Sequence, residues 1–186
     1  LVEGNTFSGH FLVGVWCLTF ETMPKGLIID NNKFLATRSA AIDVGMIPEV
    51  IIRNNSIYSV PYSDFDLSDT TLRGIKSNAF KTICLNNTIN GFNLQGIYWE
   101  PRYKVVNTSS ELSAYSGGYN NTLYSSSNKG QTWAFPSCII GDNYIQGFVS
   151  GQTYVAKGIE IAPRSINAGV YGCIIKNNTI KDVDRG

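Results

Sequence analysis

One short phrase recurs six times along this 186-residue chain and limits the folds that the chain can adopt. The phrase is an apolar lead, a variable position, a turn residue, an Asn, and another apolar residue two positions on. Its copies are "LVEGNTF", "LIIDNNKF", "VIIRNNSI", "TICLNNTI", "CIIGDNYI" and "CIIKNNTI", anchored at Asn5, Asn32, Asn55, Asn87, Asn143 and Asn178. Successive anchors are 27, 23, 32, 56 and 35 residues apart. A unit of this length has too little apolar surface to fold alone, so the repeat predicts a solenoid of stacked units.

A second signal follows the anchors: a small residue and then a β-branched one. The copies are Gly14-Val15, Ala41-Ile42, Gly74-Ile75, Gly96-Ile97 and Gly158-Ile159. Each unit therefore consists of a strand, an Asn turn, a short strand, a loop and a Gly-led strand. Asn tolerates left-handed φ at a bend, and stacked Asn amides can hydrogen-bond to one another. We interpret the Asn-x-Ser/Thr sequons as by-products of this repetition.

These two signals resemble the repeat of right-handed parallel β-helix proteins of the pectate-lyase-like type, and the resemblance covers nearly the whole chain except 103–137. It implies an all-β fold, a right-handed parallel β-helix (solenoid) of about six to seven rungs with an Asn ladder. Residues 1–186 are expected to form one domain, with 103–137 as a long inserted loop or a degenerate rung. Because the sequence begins within a repeat, we expect it to be a fragment of a longer chain. The fold serves lyases, hydrolases, esterases and adhesive virion proteins, so it does not define the function.

Strand alternation assigns the apolar phrase to columns that run along the stack. The predicted inward columns are Val2, Ile29, Ile52, Cys84, Ile140 and Ile175, and Leu27, Val50, Thr82, Cys138 and Cys173. The column between them is expected to face outward, yet it is Leu1, Ile28, Ile51, Ile83, Ile139 and Ile174. Such a stripe is rarely left in water. It predicts cover by a flanking segment or a subunit interface, and we favour a parallel homotrimer. Trimeric β-helices are the architecture of bacteriophage tailspikes, which this chain most resembles.

Composition argues against two other classes of protein. The formal charge is +1 and charged residues are 16%, without the basic excess that a nucleic-acid surface needs. No apolar run approaches the roughly 18 residues of a membrane span. The N-terminal residues do not resemble a signal peptide, which fits a virion protein assembled in a cytoplasm.

The cysteines and acidic residues leave two alternatives open. Cys138 and Cys173 are expected to stack, so that a disulfide bridge is conceivable, although buried thiols are the simpler interpretation. No Cys/His metal spacing occurs beside the single His10, so we expect no metal and no cofactor. The Asp-rich segment 61–71 is interpreted as a solvated turn, with calcium binding as the alternative.

A repeated phrase on the Gly-led strand carries the candidate chemistry: "GIYWEPR" at 96–102 and "GIEIAPR" at 158–164. Alternation directs Tyr98, Glu100 and Glu160 outward, in the register of Trp16, Asp43 and Lys76. We expect Glu100 and Glu160 to be the catalytic acid/base pair of a glycosidase, with Asp43 in reserve. If 103–137 is a loop, the two glutamates are about 8 Å apart, as an inverting enzyme requires, and if it hides a rung, about 12 Å. The alternative is ordinary surface carboxylates balanced by Arg102 and Arg164.

Aromatic residues supply the expected sugar contacts. The segment 107–133 is rich in Ser, Gly, Tyr and Asn, which is typical of binding loops. The predicted substrate-binding residues are Trp16, Tyr98, Arg102, Tyr115, Tyr119, Tyr124, Trp133 and Arg164.

The sequence thus predicts a tailspike-type protein of the virion tail that binds and hydrolyses a bacterial surface polysaccharide. One alternative is a calcium-dependent polysaccharide lyase that uses Arg102 or Arg164 as its base. The other is a receptor-binding or structural β-helix without catalysis.

Overall fold

The computed structural model describes residues 1–9, 11–17, 26–35, 37–45, 47, 49–59, 72–79, 81–101, 137–147, 156–162 and 172–184. Every regular element in these ranges is a β-strand. The strands are β1 Val2–Glu3, β2 Thr6–Phe7, β3 Phe11–Cys17, β4 Leu27–Asp30, β5 Lys33–Leu35, β6 Thr37–Val44, β7 Glu49–Arg53, β8 Ser56–Tyr58, β9 Arg73–Ser77, β10 Lys81–Leu85, β11 Thr88–Phe92, β12 Gln95–Trp99, β13 Ser137–Gly141, β14 Tyr144–Gly147, β15 Lys157–Ile161, β16 Ile174–Lys176 and β17 Thr179–Lys181. In the same ranges no helix is long and apolar enough to cross a membrane.

The strands form three parallel sheets that the chain visits in turn. The first sheet has the order β1-β4-β7-β10-β13-β16, the second β2-β5-β8-β11-β14-β17 and the third β3-β6-β9-β12-β15. Every third strand thus pairs with its predecessor in the same sheet, which is consistent with a parallel β-helix. The prediction of an all-β chain of stacked parallel strands is confirmed at this level.

The two residues of each turn have different roles. The first adopts left-handed backbone, with φ of 53° at Asn31, 57° at Asn54 and 54° at Asn86. The second is the anchor, whose side chain points into the stack. Each anchor Nδ2 donates to the Oδ1 of the next anchor at 2.9–3.1 Å, from Asn5 to Asn178. The same Oδ1 also accepts a backbone N–H, as when Asn55 N donates to Asn87 at 3.0 Å. One residue therefore bends the chain from the first sheet to the second, and the next satisfies the polar groups that the bend buries.

Aliphatic side chains from all three sheets fill the interior. Ile29, Ile52, Cys84 and Ile140 form one buried column of the first sheet, in register from strand to strand. Ile175 continues this column beside Ile140 but is 51% exposed, because β16 is the edge strand of its sheet.

The glycines before Ile75, Ile97 and Ile159 of the third sheet lie against the second sheet. A Cβ on Gly96 would come within 2.5 Å of Ile145 Cγ2 and 2.7 Å of the Gly158 carbonyl oxygen. Gly74 and Gly158 face Ile89 and Ile180 in the same way. The repeated glycine is therefore a packing requirement.

This packing predicts a stability difference between two Gly-to-Ala substitutions. Gly96→Ala is expected to lower the free energy of unfolding by about 2 kcal/mol, because the added methyl group overpacks the interior. Gly26→Ala is the matched control, since a Cβ there would meet nothing closer than the Glu49 carbonyl oxygen at 3.9 Å. Urea denaturation of both variants measures the difference. Equal stability of the two variants would contradict the close packing at Gly96.

The outward column of the first sheet is an aliphatic stripe, as the alternation predicts. Leu1, Ile28, Ile51, Ile83, Ile139 and Ile174 occupy it in register. Leu1, Ile28 and Ile174 are exposed, and the other three are partly buried.

Candidate functional site

The outward face of the third sheet carries a hydrogen-bonded group of polar side chains. Its central column is Trp16, Asp43, Lys76, Tyr98 and Glu160, each in register with the next. Sequence alternation placed these five residues together correctly. A second column beside it holds Arg73, Gln95 and Lys157, also in register. We refer to these eight residues as the polar face.

Sequence reasoning missed the second column, although a signal for it exists. A long polar residue precedes each Gly-Ile pair in the phrases "RGI", "QGI" and "KGI". That position lies directly before the glycine that packs inward, so its side chain points away from the core.

Glu160 is held by donors on both sides. Lys157 Nζ donates to Oε1 at 2.5 Å, and Gln95 Nε2 donates to Oε2 at 2.5 Å. The Gln95 amide is oriented by Arg73, whose Nε donates to Gln95 Oε1 at 2.5 Å. Partial burial raises the pKa of Glu160, but the hydrogen bonds from Lys157 and Gln95 and the charges of Lys157 and Arg73 outweigh it and lower the pKa. Glu160 is therefore an ionised carboxylate at neutral pH and suits a proton acceptor.

Glu100 lies in different surroundings and is only 1% exposed. Its Oε1 accepts a hydrogen bond from Tyr98 Oη at 3.0 Å, and its Oε2 accepts one from Asn78 Nδ2 at 3.0 Å. The expectation of an ordinary surface carboxylate is wrong for this residue. Tyr98 is also buried, as are all five residues of β12. Alternation gives the direction of a side chain but not what packs over it.

Direct pairing of β12 with β15 places Glu100 and Glu160 on neighbouring rungs. Glu160 lies opposite Tyr98, two residues before Glu100 along the strand direction. These offsets put the two backbone positions about 8 Å apart. The Glu160 carboxylate itself lies back along the strand, beside Lys157 and Gln95. Tyr98 contacts the surroundings of both glutamates. Its hydroxyl group donates a hydrogen bond to Glu100, and Arg73, which orients Gln95 beside Glu160, has its Cζ 5.6 Å from the Tyr98 ring centroid.

Asp43 is remote from this pair. It forms an ion pair with Lys76 Nζ at 2.8 Å, and the strand order puts three strand spacings between Asp43 and Glu160. That offset is about 14 Å, too far for joint action on one bond. This offset does not favour Asp43 as the partner of Glu160. Trp16 lies beyond Asp43 and is 65% exposed, so its ring is available for stacking.

The remaining predicted residues lie outside the described part of the chain. They are Arg102, Tyr115, Tyr119, Tyr124, Trp133 and Arg164, together with the acidic segment 61–71. Across the ranges that the structure describes, no group of three or more His, Cys, Asp or Glu side chains could hold a metal ion.

The fold and the polar face together define a class: an all-β stack of parallel strands with a hydrogen-bonded polar surface on its third sheet. Comparisons of this chain with protein-family models, with curated proteins and with solved structures give no match.

Proposed function

We propose that this chain is a right-handed parallel β-helix of the bacteriophage tailspike type, which binds and hydrolyses a bacterial surface polysaccharide. The observation that carries the proposal is the pair Glu100 and Glu160, on neighbouring rungs of one sheet and in unlike surroundings. Enzymes that hydrolyse glycosidic bonds use two carboxyl groups whose environments separate their roles. The preference for right-handed crossovers between parallel strands and the row of bonded anchor asparagines support the β-helix with an Asn ladder.

The surroundings suggest which glutamate performs which step. Glu160, ionised and partly exposed, acts as the base that activates a water molecule. Glu100 is assigned the acid, which in its protonated form donates a proton to the oxygen atom of the leaving sugar. Because its side chain is only 1% exposed, this step requires that substrate binding open a path to the carboxyl group. The backbone offset of about 8 Å is compatible with the carboxyl separation of an inverting enzyme, so the proposal expects inversion at the anomeric carbon.

Sugar rings need flat apolar surfaces as well as polar partners. Trp16 offers such a surface at one end of the polar face, and the hydrogen-bonding groups of Lys76, Gln95 and Lys157 lie along it. An extended polysaccharide that follows the stack would meet these residues in succession. The proposal also assigns sugar contacts to Arg102, Arg164, Tyr115, Tyr119, Tyr124 and Trp133. Tyr98, which is buried, contributes by its hydrogen bond to Glu100.

The aliphatic stripe supports a parallel homotrimer in a virion tail. In strand β7 the outward residues are Glu49, Ile51 and Arg53. Glu49 pairs with Lys81 and Arg53 with Asp30, so ion pairs flank the apolar centre. A three-fold axis beside the stripe brings the Arg53 side of one copy to the Glu49 side of the next. A closed symmetric trimer would bury the stripe. Sedimentation equilibrium measures the molar mass in solution, which we expect to be three times that of one chain.

The size distribution of bacterial surface polysaccharides tests the catalytic proposal. We expect purified capsular or lipopolysaccharide glycans from a panel of bacteria to include one that the protein shortens, with new reducing ends. Shortening with an unsaturated sugar product, blocked by a chelator, would instead establish the lyase. Glycans that bind but keep their length throughout the panel would establish a receptor-binding protein, in which the Glu160 hydrogen bonds are structural.

A further inference from the structure

The inward column of the first sheet brings two thiols into contact. Ile139 pairs with Ile174, so the preceding residues Cys138 and Cys173 are neighbours across parallel strands. Their Sγ atoms are 2.7 Å apart. Neighbouring parallel strands lie about 4.8 Å apart, which is within the Cα separation that a disulfide bond spans.

We propose that Cys138 and Cys173 form an oxidation site, at which the two thiols join in a disulfide bond that ties adjacent rungs together. Both residues are free thiols in this structure. No rearrangement of the backbone is needed, because strand pairing already holds the two side chains side by side.

The other two cysteines are poorly placed for the same reaction. Cys84 pairs with Ile140 rather than with Cys138, and its Sγ accepts a hydrogen bond from Asn87 Nδ2 at 3.3 Å. Burial raises the pKa of Cys84 to about 12, which keeps it a thiol. Cys17 lies on β3 in the third sheet. Oxidation should therefore select one pair.

Glutathione disulfide is a sufficient oxidant. Cys173, which is only partly buried, loses its proton and attacks one sulfur of glutathione disulfide, whose S–S bond breaks to release one glutathione. Cys138 then loses its proton and attacks the Cys173 sulfur, which releases the second glutathione. The protein gives up two electrons and two protons, and the oxidant becomes two glutathione molecules. Burial raises the pKa of Cys138, so we expect this second step to be the slower one and to accelerate as pH rises.

The bond would close one complete turn of the stack. Residues 138–173 contain most of β13, all of β14 and β15, and the return to β16, so the closed loop carries Glu160. It would also fix the edge strand β16 to its neighbour. A loop of this length should raise the unfolding temperature by roughly 10 °C relative to the reduced protein.

Peptide mapping of the intact chain tests the proposal without reference to catalysis. The protein is incubated with glutathione disulfide, denatured, alkylated, digested without reductant and analysed by mass spectrometry. We expect one linked pair of peptides that contain Cys138 and Cys173, with Cys17 and Cys84 alkylated. The linked pair and the increase in unfolding temperature should both disappear on addition of reductant.

Two variants complete the test. Cys173→Ser should show no rise in unfolding temperature with the oxidant, whereas Cys17→Ser should retain it. The proposal would be overturned by alkylation of both Cys138 and Cys173 after oxidation, or by a link from either one to Cys84. Neither result would bear on polysaccharide cleavage.

Discussion

Replacement of Asn87 by Ala is expected to lower the free energy of unfolding by about 4 kcal/mol. Asn87 is almost fully buried, and its Nδ2 donates to the carbonyl oxygens of Ile52 at 3.1 Å and Leu85 at 3.0 Å. Its Oδ1 accepts from both the backbone and the side-chain nitrogen of Asn55 at 3.0 Å. The substitution leaves several of these buried groups without partners, and each such group costs about 1–3 kcal/mol.

The preceding residue provides the matched control. Asn86 is exposed and has φ of 54°. Asn86→Ala should therefore cost only about 1 kcal/mol, from the left-handed backbone. Urea denaturation of the two variants, followed by circular dichroism and fluorescence, compares them. If Asn87→Ala were no less stable than Asn86→Ala, the bonded asparagines would contribute little to stability.

Glu160→Gln is expected to reduce the rate of polysaccharide cleavage by about 10²–10⁴-fold, on any glycan that the protein shortens. The amide has nearly the same shape and can still accept a hydrogen bond from Lys157, but it cannot accept a proton from water. Because the pKa of Glu160 is lowered, activity should persist on the acidic side to below the usual range of a glutamate. Initial rates of reducing-end formation across pH measure both effects.

Glu3→Gln is the control for this experiment. It makes the same chemical change at an exposed position of the first sheet, away from the polar face. Its rate should equal that of the unaltered protein. Full activity of Glu160→Gln with an unchanged pH profile would remove Glu160 from the mechanism while leaving the fold intact.

Much of the architecture is predictable from residue pattern alone. The Asn-anchored phrase aligns six strands of the first sheet, and the alignment reproduces the observed pairing of Ile28 with Ile51 and of Ile83 with Ile139. The strand register can be predicted because a slip of one residue would turn every apolar side chain from the interior to the outside. The same logic correctly aligned Trp16, Asp43, Lys76, Tyr98 and Glu160.

The burial and the hydrogen-bond partners of each candidate residue were less predictable. Alternation directed Tyr98 and Glu100 outward but did not show that both are buried. It also did not show that Gln95 and Lys157 bind the Glu160 carboxylate. Burial and hydrogen bonding depend on groups from other turns of the stack, such as Gln95, which lies 65 residues before Glu160.

The sequence by itself therefore determined the strand class, the parallel register and the columns, because these follow from a local alternation repeated in every unit. Only the tertiary structure decided that Glu160 is an ionised carboxylate held by hydrogen bonds, that Glu100 is shielded from solvent and that Asp43 forms an ion pair with Lys76. The physical reason is that solvation and charge at a side chain are set by its neighbours in space. In a stacked fold most of those neighbours come from a different turn of the chain.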